Sequence, residues 1–209
     1  MAPKQSRCVF CDQLLSGRKT GAWDTVIAET EDYLIVPSKG ALVPGWLLVV
    51  GKKHLLCAGE LPPEEIQALG EAVETCKALV ERSFGSSTIF EHGPAAAGTS
   101  LGCGIDHLHI HVVSLPFSLM DAVNSMFGRM VWCPATLDGL AQLHRNGTGY
   151  ALLQEPDNGM VACRPPLDVR QPLRQAIAQK MGILHAYDYA THPHTRNVEL
   201  TLNRLSIAI

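Results

Sequence analysis

The chain has 209 residues, 46% of them hydrophobic and 18% charged, enough to bury a sizeable core in one domain or in one domain with a large extension. A formal net charge of -3, with no run of basic residues, argues against binding to a nucleic-acid backbone. The longest apolar runs, such as GWLLVV, are too short to cross a bilayer, and the N-terminus lacks the apolar stretch of a secretory signal. The expectation is a cytoplasmic protein with neither membrane nor nucleic-acid partners.

Taken in chain order, Cys8 and Cys11 come first, in C-x-x-C spacing. The 7 cysteines are an odd number, which argues against a disulfide framework, and the other five read as buried thiols. TVIAE and DYLIVPS read as short strands, KGALVPG as a turn, and WLLVVGKKH as a more fully apolar strand. In LPPEEIQALGEAVETCKALVERSFG the apolar residues Ile66, Leu69, Val73, Cys76, Leu79 and Val80 follow helical spacing. Pro62 and Pro63 suit its start and Gly85 its end. STIFEHG and DHLHIHVVSL read as two further strands around a small-residue loop. Beyond Pro116, SLMDAVNSMFGRM and TLDGLAQLHRN read as helices, and GYALLQEP and GMVACRPP as a hairpin turning at DNG. QPLRQAIAQKMG and HTRNVELTLNRL read as helices again. Strands surround a helix without βαβ alternation, so the expected class is α+β with an antiparallel sheet. The expected organisation is a catalytic domain over 1–120 and an extension over 121–209 packed on it.

The densest chemistry lies in GCGIDHLHIHVV. On a strand, residues two apart share a face, so His107, His109 and His111 point one way while Leu108, Ile110 and Val112 enter a core. A lone histidine here would most often be structural. Three on one face must all find partners or a ligand. They can bind a metal, or the middle one can be a nucleophile oriented and tuned by its neighbours.

HLHIHVV resembles the H-φ-H-φ-H-φ-φ signature of the histidine triad (HIT) superfamily of nucleotidyl hydrolases and transferases. VPGWLLVVGKKH is similar to that family's strand ending in a Lys-Lys-His turn, and FEHG takes the place of its next strand end. The ordered motifs cover roughly the first 120 residues, and the remainder is similar to the C-terminal extension of a bacterial subgroup. The resemblance implies a HIT-like antiparallel sheet with a long helix, and a small-molecule nucleotide substrate. It makes His109 the nucleophile that attacks a phosphate. His111 would donate to that phosphate or hold the geometry. Backbone N–H groups of Gly102, Cys103 and Gly104 would approach the phosphate oxygens. It also implies a structural zinc held by Cys8, Cys11, His54 and His107, and it allows a homodimer.

Departures from the family pattern sit around the substrate. Ser38 stands near the place of an acidic residue that grips ribose hydroxyls, and it can bond one of them. Glu91 and His92 stand where an asparagine or glutamate is usual. Glu91 is a candidate substrate contact. His92 either protonates a leaving group or satisfies a buried polar contact. Arg174 is within reach of a phosphate in principle, but a solvated helix face explains such an arginine more often. The leading expectation is a hydrolase or nucleotidyltransferase acting on a phosphoanhydride or phosphoramidate through a nucleotidyl-histidine. The alternatives are a phosphorylase or lyase variant, a zinc-stabilised nucleotide-binding module, and a triad that is itself a catalytic metal site.

Overall fold

The structure is a computed structural model that describes residues 8–98, 104–147, 149–165 and 169–207. Its described residues form one antiparallel sheet of eight strands. They are β1 (Ala28–Glu29), β2 (Tyr33–Pro37), β3 (Leu47–Gly51), β4 (Ser87–Gly93), β5 (His109–Ser114), β6 (Cys133–Pro134), β7 (Tyr150–Gln154) and β8 (Val161–Cys163). Their order across the sheet is β1-β2-β3-β5-β4-β7-β8-β6. The helices are α1 (Ile66–Phe84), α2 (Leu119–Phe127), α3 (Leu137–Arg145), α4 (Pro172–Lys180) and α5 (Thr195–Ile207). The α+β class expected from the sequence is observed, with the long helix and the helix-and-hairpin extension.

Strand alternation divides the core into two layers. Ile35, Val49, Ile89, Ile110, Val112 and Leu152 pack under Leu69, Val73 and Val80 of α1. Val36, Leu48, Phe90, Val113 and Leu153 face the other way, under the N-terminal segment, α2 and α4. Both faces are covered, so β2 and β3 are buried at every position. That explains why their sequences are continuous apolar runs rather than alternating ones. α1 follows a 3-10 turn at Pro63–Glu65 and ends beside Gly85, as the sequence suggests.

The residues after 120 do not stand apart from this sheet. β7 pairs with β4 from Ile89↔Gln154 to Gly93↔Tyr150, and β8 and β6 follow outward. α4 returns to the triad face, where Leu173, Ala176 and Ile177 join the core beside Trp46 and Phe90. The extension therefore supplies both sheet edge and lid material next to β5. Among the described residues, no helix is long and apolar enough to cross a membrane.

Candidate functional site

Cys8, Cys11, His54 and His107 meet at one point, with their ligand atoms all within 4.8 Å of one another. Nδ1 of His107 lies 3.3 Å from Sγ of Cys8, 3.6 Å from Sγ of Cys11 and 3.2 Å from Nδ1 of His54. Sγ of Cys11 lies 3.3 Å from Nδ1 of His54. Zn–S and Zn–N bonds of ordinary length give tetrahedral edges of about 3.3–3.8 Å, so the separations fit one ion at the centre. The protonation pattern agrees. Nε2 of His107 donates to the Gly51 carbonyl at 2.6 Å, which leaves a lone pair on Nδ1, facing three other donor atoms. A cluster of lone pairs without a cation would repel itself. The group is a closed Cys2His2 site for structural zinc, with no position open for water.

The site holds more than the strand. Phe10, between the two cysteines, packs edge-on against the rings of His107 and His109 at 5.5 and 5.4 Å. A π-helical turn at Phe10–Leu14 follows. Zinc thus fixes a segment that touches the middle triad histidine directly.

Hydrogen bonds set the tautomers of the other two triad rings. Nδ1 of His109 donates to the carbonyl of His107 at 2.6 Å, so the lone pair of the neutral ring sits on Nε2. The Trp46 indole N–H donates to Nδ1 of His111 at 3.0 Å, so the proton of His111 sits on Nε2. Phe90 stacks on His111 with ring centroids 4.4 Å apart and planes 9° from parallel. Burial pushes His109 down to about 4, with the neighbouring charges of His107 and Arg174 acting in the same direction. Burial, then the charges of His109, His92 and Arg174, hold His111 well below the ordinary imidazole range. Side by side, one ring offers a nitrogen lone pair and the next an N–H. That is the pairing needed to attack an electrophile and bind its oxygen.

Both rings line a cavity of about 280 Å³. Val9, Phe10, Gln13, Leu14, Trp23, Val36 and Leu48 are among the residues that line it. The mainly apolar lining with a few polar groups suits a small organic ligand. Ser38 lines it too, buried, with its hydroxyl donating to the Lys39 carbonyl at 3.3 Å. Gly104 is present at φ +82, a backbone that other residues adopt at a cost. Gly102 and Cys103 lie outside the described residues.

Sequence reasoning passed over Arg174. It is 1% exposed, not on a solvated helix face, and it lines the cavity with His109 and His111. Its guanidinium lies 4.8 Å over the Trp46 ring and donates to Gly40 O at 2.5 Å and to Tyr187 O at 3.1 and 3.2 Å. The only signal available in the sequence was that it stands in the first turn of a helix that carries Leu173, Ala176, Ile177 and Ala178.

Glu91 is not brought to the cavity. Phe90 and His92 take the triad face of β4, so Glu91 points to the α1 layer. There its carboxylate accepts from Ala58 N–H at 2.8 Å and from the Tyr150 hydroxyl at 2.6 Å. Gly59 N–H in turn donates to Tyr150 Oη at 3.0 Å. His92 accepts from Leu173 N–H at 3.3 Å through Nε2, and burial pushes it down to about 3. It holds the start of α4 against the triad rather than carrying a proton to a leaving group.

Glu91 has a consequence for stability. Burial pushes its carboxyl up to about 7 from the ordinary 4.5, despite the lowering effect of Tyr150 and Ala58. A raised folded-state pKa favours the folded form below the unfolded value, and this contribution is lost as pH rises through the folded value. The shift corresponds to about 3 kcal/mol. The buried imidazoles act in the opposite direction, so the measurement is a difference. The stability of Glu91→Gln minus that of wild type should rise by about that amount from pH 4.5 to pH 8, in urea titrations. A difference that stays flat would mean that Glu91 titrates as an ordinary carboxyl.

A family model described as the HIT domain matches residues 19–117. Among solved structures, a Zn-bound histidine triad family protein from Mycobacterium smegmatis is 23% identical, covering 68% of this chain and 92% of that one, with a TM-score of 0.42. A HIT family hydrolase from Clostridium thermocellum is 19% identical, covering 54% and 95%, at a TM-score of 0.43. A HIT family protein from Bacillus anthracis is 20% identical, covering 68% and 94%, at a TM-score of 0.44. The family match spans β1 to β5 and includes Trp46, His54 and the three triad histidines. Over residues 19–117 the chain is similar to the HIT domain.

Proposed function

We propose that the protein is a nucleotidyl hydrolase or transferase in which His109 is the nucleophile. The observation that supports this best is the tautomer pair: a lone pair on Nε2 of His109 beside an N–H on Nε2 of His111, both rings lining the same cavity. In the first step Nε2 of His109 attacks the α-phosphorus. The P–N bond forms, the bond from phosphorus to the leaving group breaks, and the leaving group takes that electron pair. The neutral ring needs no prior deprotonation, and its depressed pKa keeps it neutral at pH 7. The His111 N–H binds a non-bridging oxygen as charge develops there. In the second step water or another acceptor attacks phosphorus, gives up its proton, and returns the P–N pair to His109. The apolar part of the cavity takes the nucleoside, with Ser38 at its polar rim. Zinc keeps the wall that contains Phe10 in place.

A single-turnover reaction with α-phosphate-labelled dinucleoside polyphosphate tests this. Label stable to base and labile to acid should appear on the protein and map to His109. A wild-type enzyme that turns over while carrying no covalent label would replace this route with direct attack by water. Replacing His111 with Ala should lower kcat about 10²-fold, the scale of losing one oriented donor to a developing charge. Steady-state kinetics that leave kcat within a factor of about two would remove His111 from the chemistry.

A further inference from the structure

We propose that Asp24 reads the nucleobase: its carboxylate accepts a hydrogen bond from an exocyclic amino group, and the protein selects adenine and cytosine nucleotides over their hypoxanthine and uracil counterparts. The proposal rests on the reading of the cavity as a nucleotide site with His109 as its nucleophile, and it adds a base preference to that reading. Asp24 lines the same cavity as His109 and His111 and is 8% exposed. Among the described residues that line the cavity it is the one carboxylate.

One oxygen of this carboxylate is committed and the other is not. Oδ2 accepts from Thr20 N–H at 2.5 Å, from the Thr20 hydroxyl at 2.8 Å and from Gly21 N–H at 3.2 Å. Oδ1 has no hydrogen-bond partner among the described residues. The segment that carries it is braced. Asp24 closes a 3-10 turn over Ala22–Asp24, and its own N–H donates to Gly21 O at 3.1 Å. The Trp23 indole N–H donates to the Thr20 hydroxyl at 3.2 Å, and Lys39 Nζ lies 4.8 Å over the Trp23 ring. A carboxylate held by three donors on one oxygen cannot swing to find a fourth for the other. Its free oxygen is a fixed acceptor in a mainly apolar cavity, and the group that satisfies it is a donor on the ligand.

Strand register shows which donor that is. His111 pairs with Leu48 and Leu48 with Val36, and all three line the cavity. They form a row across β5, β3 and β2 that is two strand spacings long, about 10 Å. The Ala22–Asp24 turn packs against β2, so Asp24 stands away from the triad along that row. A nucleotide whose α-phosphate meets the two imidazoles lays its sugar over the intervening apolar residues, and its base extends to Asp24. Adenine and cytosine each carry one amino group on the edge they present there, with a hydrogen to give. Hypoxanthine, guanine and uracil carry a carbonyl oxygen in the same place, which would meet Oδ1 lone pair to lone pair.

The test is calorimetric binding of nucleoside monophosphates to the full-length zinc protein. AMP should bind at least about tenfold more tightly than IMP, and CMP more tightly than UMP by a similar factor. Asp24→Asn adds a second readout. Its Oδ1 can take over the bonds from Thr20 and Gly21, so the variant should fold, and Nδ2 then offers a donor where the free oxygen stood. The preference should invert, with IMP and UMP binding more tightly than AMP and CMP. A purely structural role would weaken all four ligands alike, and that result would overturn the proposal. If the variant does not fold, the wild-type ratios decide alone, and equal affinities for AMP and IMP overturn it. So does a loss that follows the sugar, in which 2′,3′-dideoxy-AMP binds weakly while AMP and IMP bind alike. Binding requires no chemistry, which separates this proposal from the one beneath it. Base discrimination through Asp24 without label on His109 leaves the base reading standing and removes nucleotidyl transfer. Label on His109 with equal kcat/KM for adenosine and inosine dinucleotides removes the base reading alone.

Discussion

His109→Asn should lower kcat by about 10³-fold or more while substrate binding stays within a few-fold of wild type. Asparagine keeps polarity and much of the volume, and its amide can still donate to the His107 carbonyl. What it lacks is a lone pair able to form the P–N bond. Covalent catalysis splits one hard displacement into two easier ones, so losing the nucleophile removes the whole route rather than one contact. Equilibrium binding of a non-hydrolysable dinucleotide supplies the second readout, and the labelled intermediate should disappear. An Asn variant that works at close to the wild-type rate would mean that the triad performs a different task.

Removing zinc should have the second largest effect, on stability and on the cavity wall. Purified protein should hold about one zinc per chain. If free zinc stands about 1,000-fold above its dissociation constant, binding contributes about 4 kcal/mol. Its loss should lower Tm by roughly 10 °C in a chain of this size. Cys8→Ser and Cys11→Ser should each reproduce the effect of a chelator. KM should then rise, because the segment from Val9 to Leu14 lines the cavity and is tied down through Cys8 and Cys11. His109→Asn should keep the metal. Metal analysis and thermal melts check both points. A zinc content that falls with His109 and not with Cys8 would move the ion onto the triad.

The triad was legible in the sequence because its pattern is local, and the zinc ligands were legible through the resemblance to the family. Period-two spacing puts His107, His109 and His111 on one face whatever the rest of the chain does. The C-x-x-C pair by itself is a weak signal, and the resemblance is what joined Cys8 and Cys11 to His54 and His107. Glu91 was not placed because β4 is buried at all seven positions. A strand covered on both sides has no polar face, so alternation cannot say whether Glu91 or His92 meets the triad. Arg174 was hidden for another reason. Its partners are the Trp46 ring, Gly40 O and Tyr187 O, which only the folded chain brings together. The hairpin of β7 and β8 could be read from its turn. Its pairing with β4 is a long-range choice that no local signal encodes.

The two ends of the sheet are alike in one respect: β1 and β6 are both two-residue strands, and β6 closes on Pro134, which has no N–H to offer. The long, apolar strands are all interior, each with a partner on both sides. An open strand edge is a template on which another chain can polymerise, and short, proline-marked borders are a common safeguard against it. Cutting the chain after residue 120 would remove β7 and leave β4, with Thr88, Ile89 and Phe90, as the new border. The truncated protein should then self-associate along that border, giving either a paired sheet of two copies or insoluble aggregate. In the intact chain the hairpin that completes the sheet also protects it from its neighbours in a crowded cell.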